Sequence, residues 1–404
     1  MSLVPVEAAR ARMLEGLEPV GTERVRIEDA GGRVLAEALR AKEDLPPWRT
    51  SAVDGYALAA ASLATIPIEL PVVDRVTAGR MPSRAVGAGE AAQVMTGAPV
   101  PDGADAIVMV EQCEPLAGDR VRVRARVEPG ENLRHAGEAM RRGETVLEPG
   151  IALTPARIAL AAAAGHAELV VRRRVRAAVL STGDELAPPG SRPRPGQIYD
   201  SNRYGLLAAL REFGAEAIDL GVASDDAGDF ERRLDGAADA DLLVTSGGVS
   251  MGERDVVKEV LARRGGVEFI TVAMRPGKPQ AFGRVGRAAF FGLPGNPVSS
   301  MVVFELFVRP ALRLLAGYRV LARTPLRARL EETFSKKAGL AHFLRAVVRA
   351  EGAGFAARLT GPQGSHVVRS MAEANALLHI PAETTRVAAG DEVEFTFLRE
   401  PIAE

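Results

Sequence analysis

The sequence has little cysteine, few aromatic residues and almost no net charge, and each shortage argues against a class of protein. Cys113 is the one cysteine among 404 residues, so an internal disulfide is impossible and a cysteine-based metal site is not expected. Aromatic residues make up 4% of the chain, so its cores must be built mostly from aliphatic side chains. A formal net charge of −1 argues against bulk attraction to nucleic acid or an anionic membrane.

Long apolar runs and lysines are also scarce. Residues Met1–Arg12 resemble the start of an amphipathic helix rather than a signal peptide, and the apolar run Ile158–Ala164 is too short to cross a bilayer. We therefore expect a cytoplasmic protein with neither nucleic acid nor membrane as a partner. Because nearly all of the 51 basic residues are arginine, a retained lysine such as Lys278 carries more weight than an ordinary surface charge.

The length and the changing patterns along the chain predict four domains. These are a mixed helix and strand domain (residues 1–45 and 136–174), a small β domain (46–135), an α/β domain (175–322) and a C-terminal β-barrel domain (323–404). In the first of them we expect a helix to begin after Thr154, which caps it, with Pro155 in its first turn.

Strands alternate with helices from residue 175 onward, which predicts a doubly wound, mostly parallel sheet with helices on both faces. The predicted strands are Val175–Leu180, Ala215–Leu220, Asp241–Ser246, Val267–Val272 and Ala288–Phe291, and a single long helix is expected over Pro297–Ala316. In such sheets ligands bind beyond the carboxyl ends of the strands. Three of those ends are followed by loops rich in glycine, proline or acids.

Two of these loops suit a phosphate. Ser246-Gly247-Gly248-Val249-Ser250 would let backbone amides approach an anion at the start of a helix, although a plain tight turn explains it equally well. Pro294-Gly295-Asn296-Pro297 is stiff and also opens a helix. A simple helix entry would explain Pro297 but not Pro294.

The third loop, Thr182-Gly183-Asp184-Glu185, carries two adjacent carboxylates that could hold a hard cation such as Mg²⁺. The alternative is a helix cap with acidic first-turn residues. Asp255 could likewise be a site residue or only a helix-stabilising one, because an acid in the first turn of a helix ordinarily interacts favourably with the helix dipole.

Other candidates are weaker when taken alone. Arg275 and Lys278 flank a proline-rich turn that would suit a polyanion, Asp54-Gly55 is itself a turn signal, and the loop around Thr96 resembles a connection. The five histidines lack metal-ligand spacing, and we find no P-loop or nucleophile elbow. The residues thus predict a phosphorylated ligand and a divalent cation, but no particular reaction.

Eight motifs, in order from about residue 51 to 371, resemble those of the MoeA/gephyrin E-domain family of molybdopterin molybdenumtransferases. They are SAVDGYA, QVMTGAPVPDGADAIV, ENLRHAGE, STGDEL, TSGGVSMGERD, RPGKPQAFG, GLPGNPVSS and GSHVVRSM. Each motif is weak by itself, but eight in the same order leave little room for chance.

This resemblance implies an elongated homodimer whose α/β domain is similar to the molybdopterin adenylyltransferase fold. The active site is expected between the α/β domain of one subunit and the small β domain of the other. The implied substrates are adenylated molybdopterin and molybdate, with Mg²⁺ as cofactor and AMP as a product. The molybdopterin adenylyltransferase and the downstream enzymes of molybdoenzyme maturation are the expected protein partners.

The resemblance also implies roles for individual residues. Asp54 and Thr96 match positions that face the site across the dimer, Glu185 and Asp255 match its acidic positions, and Asp225 or Asp226 matches a further acid of the metal site. The positions expected to act in phosphate and ligand binding are Lys278, Ser246, Gly247, Gly248 and the Pro294–Pro297 loop, together with Thr182, Gly183, Asp184 and Ser250.

Two departures from the family pattern leave alternatives open. Ala139 stands where the family commonly has an acid, and Arg275 replaces a lysine. A non-catalytic paralogue that binds molybdate, tungstate or molybdopterin is therefore the second hypothesis. A receptor-clustering scaffold and an adenylyltransferase fit less well, the first because no linker or extra module is seen and the second because of the added domains. The preference between molybdate and tungstate is left open by the sequence.

Overall fold

The centre of the molecule is a six-stranded sheet that carries helices on both faces. The computed structural model describes residues 3–249, 256–264 and 266–399. In sheet order the strands are Glu216–Ala223, Arg176–Thr182, Leu242–Ser246, Ala288–Leu293, Pro279–Val285 and Val267–Thr271. The first four run parallel, and Pro279–Val285 is antiparallel to both of its neighbours, which confirms the doubly wound, mostly parallel sheet.

Two apolar cores enclose this sheet. One face packs against the helices Asn202–Glu212, Pro297–Val303 and Arg309–Leu315, and the other packs against Ala227–Asp235 and Val256–Arg264. The strands are buried from both sides, which explains their continuous runs of apolar residues.

Two expectations for this domain were wrong. The strand Pro279–Val285 was missed because it begins with a proline and contains Gly283, neither of which is typical of a strand interior. The single long helix is instead interrupted by a π-helical turn, Phe304–Val308. Pro310 follows within the next turn and lacks the N–H that a continuous α-helix requires there, so the interruption has a local cause.

The first helix, Val6–Leu14, contributes Val6, Ala9 and Met13 to the core of the α/β domain, and Val4 pairs with Val272. The mixed domain follows it. Its elements are the paired strands Thr22–Arg26 with Glu168–Arg172 and Leu39–Arg40 with Thr145–Leu147, the short helix Ile27–Asp29 and the helix Pro155–Ala163. Thr154 accepts a hydrogen bond from the N–H of Arg157 at 3.4 Å, so the predicted cap is confirmed.

The small β domain is a six-stranded sheet with its own core. In sheet order its strands are Ala106–Met109, Gly55–Leu58, Ala91–Val94, Ile68–Val76, Arg120–Val123 and Cys113–Leu116. The strands Thr50–Ser51 and Leu133–Arg134 form a separate pair, and the domain also contains the short helices Ala60–Leu63 and Val110–Gln112. The positions of the domain boundaries remain a prediction.

The C-terminal domain is a closed five-stranded barrel, as expected. Its strands are Leu326–Leu330, Ala341–Glu351, Gly354–Leu359, Ala376–Ile380 and Glu392–Phe397, and it also carries the pair Phe334–Ser335 with Arg386–Val387 and the helix Val368–Glu373. The short strand Met274–Arg275 of the α/β domain joins this barrel sheet beside Ala341–His342. No helix in the described part of the chain is long and apolar enough to span a bilayer.

Candidate active site

Three predicted loops leave one edge of the central sheet side by side. Ser246 pairs in register with Ser181 on one side and with Leu293 on the other, so the residues that follow these strands are neighbours. Parallel strands place their carboxyl ends at the same edge, which is where ligands bind in this fold class.

The glycines of the Ser246 loop permit a close approach of two chain segments. Gly247 and Gly248 have φ values of +95° and +68°, a region that favours glycine. A Cβ on Gly247 would lie 2.7 Å from the hydroxyl oxygen of Thr182 and 2.8 Å from its carbonyl oxygen. Gly295 lies beside this loop at ordinary contact distance, because a Cβ there would be 3.8 Å from the Cα of Gly247.

Asn202, which the sequence analysis did not identify as a site residue, ties two of these loops together. Its side-chain amide donates one hydrogen bond to the hydroxyl of Ser246 and another to the carbonyl of Gly295, both at 2.8 Å. Ser246 is only 3% exposed, so its oxygen is engaged inside the protein. The run Asp200-Ser201-Asn202 indicates the start of a helix but not these two contacts.

The segment before Asn202 is anchored by a buried carboxylate. Asp200 is 1% exposed and accepts hydrogen bonds from the hydroxyl of Ser181 at 3.2 Å and from Nε of Arg203 at 2.8 Å. Arg203 also forms an ion pair with Asp219. The residues on either side of Asn202 are therefore fixed, Asp200 by Ser181 at the end of the strand Arg176–Thr182 and Arg203 by Asp200 and Asp219.

The predicted acids divide into exposed carboxylates and a capping residue. Asp184 and Glu185 are exposed, and Oδ1 of Asp184 accepts the backbone N–H of Asp225 at 3.2 Å, which joins two acidic loops. Asp226 instead caps the helix Ala227–Asp235 by accepting the N–H of Asp229 at 2.9 Å.

Within residues 3–249, 256–264 and 266–399, no three histidine, cysteine or acidic side chains are grouped closely enough to hold a metal ion. Two of the predicted site residues, Ser250 and Asp255, lie outside the described residues.

The Pro294–Pro297 loop offers fewer free amides than expected. Pro297 has no N–H, and the N–H of Val298 donates to the carbonyl of Ser365 in the barrel domain at 3.1 Å. Asn296 makes no side-chain cap, and its carbonyl accepts the N–H of Ser300 at 2.9 Å. The barrel thus contacts the start of this helix directly.

Lys278 lies on a turn that an internal amide supports. Gly277 has a φ of +102°, and Gln280, which is 2% exposed, donates from Nε2 to the Gly277 carbonyl at 2.7 Å. Lys278 and Arg275 both have exposed side chains. The turn therefore presents two cations to solvent from a stiff backbone.

A cavity of about 620 Å³ lies beside this turn, between the α/β domain and the barrel. The basic residues in its lining are Arg275, Lys336, Lys337, His342 and Arg345. Among the described residues no carboxylate lines it. Burial, reinforced by Lys336 and Arg275, lowers the pKa of His342 to about 4, so this ring is neutral at pH 7.

In the small β domain, Asp54 and Thr96 come together as a pair although 42 residues separate them. Oδ1 of Asp54 accepts the backbone N–H of Thr96 at 2.6 Å and its hydroxyl at 2.8 Å. These two hydrogen bonds, the backbone one first, hold the pKa of Asp54 below its usual value. Both residues are exposed and open to a ligand or partner.

Three family models match successive parts of the chain. The model described as MoeA N-terminal region (domain I and II) matches residues 4–165, the probable molybdopterin binding domain matches 178–314, and the MoeA C-terminal region (domain IV) matches 327–398.

Similar proteins extend this match over nearly the full length. A Mycobacterium tuberculosis protein named molybdopterin molybdenumtransferase 2 is 42% identical, with 95% of this chain and 96% of the relative covered. A molybdopterin molybdenumtransferase of Haemophilus influenzae is 36% identical, with 97% and 98% covered. The crystal structure of a molybdopterin biosynthesis MoeA protein from Pyrococcus horikoshii superposes with a TM-score of 0.85 at 30% identity, covering 98% of this chain and all of that one. The chain belongs to the MoeA family.

Proposed function

We propose that this chain is a molybdopterin molybdenumtransferase, which inserts molybdate into adenylated molybdopterin and releases AMP. The observation that carries the proposal is the convergence of three strand-end loops, two of which Asn202 links through Ser246 and Gly295. This arrangement suits a phosphorylated ligand, and the named relatives supply the reaction class. The adenylyltransferase hypothesis is disfavoured because relatives named molybdopterin molybdenumtransferase match the chain over its added domains as well.

The phosphates are proposed to bind at the loops themselves. The N–H of Gly247 already donates to the carbonyl of Leu293 at 3.1 Å, so we propose that the backbone at Gly248 approaches a phosphate oxygen, near Thr182 and the Pro294–Pro297 loop. Ser250, which lies outside the described residues, is a further proposed ligand-binding residue. Lys278 and Arg275 supply positive charge, which stabilises the negative charge that develops as the phosphoanhydride is hydrolysed. Ser246 contributes by fixing the loop through Asn202 rather than through a freely exposed hydroxyl.

The carboxylates fit a hard cation in their chemistry. Glu185, Asp184 and Asp225 present exposed oxygen donors at one sheet edge, and we propose that Glu185 and Asp225 hold Mg²⁺ together with Asp255. Asp226 is less suited because its side chain caps a helix. When bound, Mg²⁺ would neutralise charge on the phosphate oxygens.

Molybdate is proposed to enter through the cavity lined by Arg275, Lys336 and Lys337. Oxyanion binding is favoured where cations lie together without a competing carboxylate. Among the described residues, the lining of this cavity includes these three cations and no carboxylate. Because the Met274–Arg275 strand pairs with the barrel, the cavity depends on both domains.

We further propose a homodimer in which Asp54 and Thr96 complete the site of the partner subunit. Mixing Asp54→Asn with Glu185→Gln chains tests this arrangement. If the site is shared between subunits, half of the exchanged dimers are mixed and each has one intact site, so about a quarter of the wild-type activity returns. If each site is built within one subunit, mixing restores nothing.

The expected setting is the cytoplasm, with the molybdopterin adenylyltransferase supplying substrate and molybdoenzyme maturation consuming the product.

The second candidate function is a paralogue that binds its ligand without turnover, which is favoured by Ala139. This residue is exposed and its N–H donates to the carbonyl of Leu45 at 2.9 Å, so an acid there would face solvent. An Ala139→Asp variant that turns over where the wild type does not would establish the paralogue.

The test of the proposed function is AMP release from adenylated molybdopterin with Mg²⁺, in the presence and absence of molybdate. Release that requires molybdate and is lost in Asp255→Ala supports the transferase. Absence of release from folded wild-type protein contradicts it and moves the assignment to the binding paralogue.

A further inference from the structure

A buried amide lies directly behind the turn that carries Lys278. Gln280 is the second residue of the strand Pro279–Val285 and is 2% exposed. Its Nε2 donates a hydrogen bond to the carbonyl of Gly277 at 2.7 Å and a weaker one to the sulfur of Met274 at 3.3 Å. Because both neighbours of Nε2 are acceptors, the amide can point in only one direction. The donor end of Gln280 therefore faces the turn.

The peptide groups on either side of Lys278 are both fixed by hydrogen bonds. The carbonyl of Gly277 belongs to the peptide before Lys278 and is held by Gln280. The carbonyl of Lys278 belongs to the peptide after it and accepts the backbone N–H of Val272 at 2.8 Å. Since a side chain leaves the backbone between two such planes, fixing both of them sets the direction of the Cα–Cβ bond of Lys278.

The first of these peptides needs support because glycine is conformationally free. Gly277 has a φ of +102°, in the region that favours glycine, and it has no Cβ to restrict its backbone. Another residue cannot replace it, since a Cβ there would lie 2.5 Å from Cγ2 of Val303 and 3.2 Å from Cε of Met274. Packing against the helix Pro297–Val303 thus requires the glycine, and the amide of Gln280 restores the rigidity that the glycine removes.

The other end of the amide contributes no contact of this kind. Oε1 of Gln280 is buried, and no donor among the described residues reaches it. A buried oxygen without a protein donor does not favour glutamine over an apolar side chain of the same length. The hydrogen bond to Gly277 is therefore the property that a methionine at this position would lack.

The turn lies at the edge of the sheet to which we assign the phosphates. Ala281 pairs with Gly292 in antiparallel register, so the strand Pro279–Val285 begins at the edge where its neighbour ends. The Pro294–Pro297 loop follows that neighbour, and Lys278 immediately precedes the strand. The backbone that carries the ammonium group is thus fixed beside one of the proposed phosphate loops.

We propose that Gln280 is a positioning residue that fixes the ammonium of Lys278 toward the phosphates of the ligand, an inference that rests on the proposed function. Gln280 is buried behind the turn, whereas Lys278 is exposed, so the effect passes through the backbone. The stem of a lysine is flexible, and an unfixed backbone would spread its charge over more positions. The attraction between this charge and an anion on the neighbouring loops would then weaken.

A double-mutant cycle tests whether Gln280 acts through Lys278. The dissociation constant of AMP is measured by titration calorimetry for the full chain as wild type, Gln280→Met, Lys278→Ala and the double variant. Lys278→Ala is expected to weaken AMP binding by about tenfold or more, because a charged contact is lost. Gln280→Met should weaken it by about fivefold, because the charge is less well placed. The double variant should bind no more weakly than Lys278→Ala, which independent roles of the two residues would not produce.

Phe282→Leu is the control for a loss of stability. Phe282 is half-buried on the strand Pro279–Val285, two residues beyond Gln280, and packs against the core of the α/β domain. The substitution should lower the free energy of unfolding and leave AMP binding as in wild type. The free energy of unfolding of Gln280→Met is measured beside it.

Three results would overturn the inference. They are undiminished AMP binding in Gln280→Met, multiplication of the two single effects in the double variant, and a comparable loss of affinity in Phe282→Leu. Molybdate-dependent AMP release is measured on the same wild-type preparation. Release together with any of these results overturns this inference alone, and absence of release from wild type that binds AMP contradicts the proposed function. Failure of wild type to bind AMP overturns both.

Discussion

One carboxylate oxygen of Asp54 accepts two hydrogen bonds from Thr96, one from its backbone and one from its hydroxyl. The pair fixes an exposed, ionised carboxylate on the small β domain, far along the chain from the strand-end loops. Because both residues are exposed, the fixed carboxylate of Asp54 can contact a ligand or a partner subunit.

Thr96→Val removes the hydroxyl bond and keeps the backbone one, so Asp54 loses part of its orientation. We expect AMP release to slow by about tenfold, while the free energy of unfolding changes by no more than about 0.5 kcal/mol because the position is exposed. Thr77→Val, at another exposed threonine of this domain, serves as the control. Unchanged release in Thr96→Val would remove the residue from the site.

Gly247→Ala tests the close approach of the Thr182 and Ser246 loops. The new Cβ would meet Thr182 and would also occupy a positive φ, so we expect a loss of about 2–3 kcal/mol of unfolding free energy and weaker AMP binding. Gly196→Ala has a similar φ of +88° with open space around it, and should cost about 1 kcal/mol without affecting AMP. Equal effects of the two substitutions would show that the contact is unimportant.

Asn202→Ala and Asn202→Asp distinguish the loss of a donor from active repulsion. Alanine removes both hydrogen bonds, at a cost of about 1–2 kcal/mol, whereas aspartate also places a carboxylate against the Gly295 carbonyl and should cost about 1 kcal/mol more. Both variants are expected to weaken AMP binding, measured by calorimetry, because the loops are no longer linked. Arg211→Ala, at an exposed position of the same helix, should leave stability and binding unchanged.

The pKa of His342 predicts a pH-dependent contribution to stability. The folded state holds this histidine neutral down to about pH 4, whereas the unfolded state binds a proton below its ordinary pKa of 6.5. Stability should therefore fall as the pH drops from 6.5 to 4, by about 1–2 kcal/mol after solvent screening. Denaturant unfolding at pH 7 and 4.5 should show a smaller difference for His342→Phe than for wild type, and an equal difference would contradict the assignment.

Much of the fold could be predicted because its patterns are local. Buried parallel strands appear as continuous apolar runs, and the Thr154 cap lies next to the helix it begins. The strand Pro279–Val285 was missed because its stability comes from its two neighbours in the sheet, which override an unfavourable local sequence.

Asn202 could not be recognised for a similar reason. Its partners are 44 and 93 residues away, so its function depends on a topology that no local pattern reveals. The hydrogen bond from the N–H of Val298 to the carbonyl of Ser365 likewise arises from contact between two domains. The roles of the acids and the loop residues remain predictions that the variants above address.

The most direct test of the central claim is the molybdenum transferred for each AMP released during a single turnover of the full chain. The account predicts one molybdenum atom in the pterin product for each AMP, and no AMP in the absence of molybdate. AMP release without molybdenum transfer, or molybdate binding without AMP release, would contradict the assignment of this chain as a molybdopterin molybdenumtransferase.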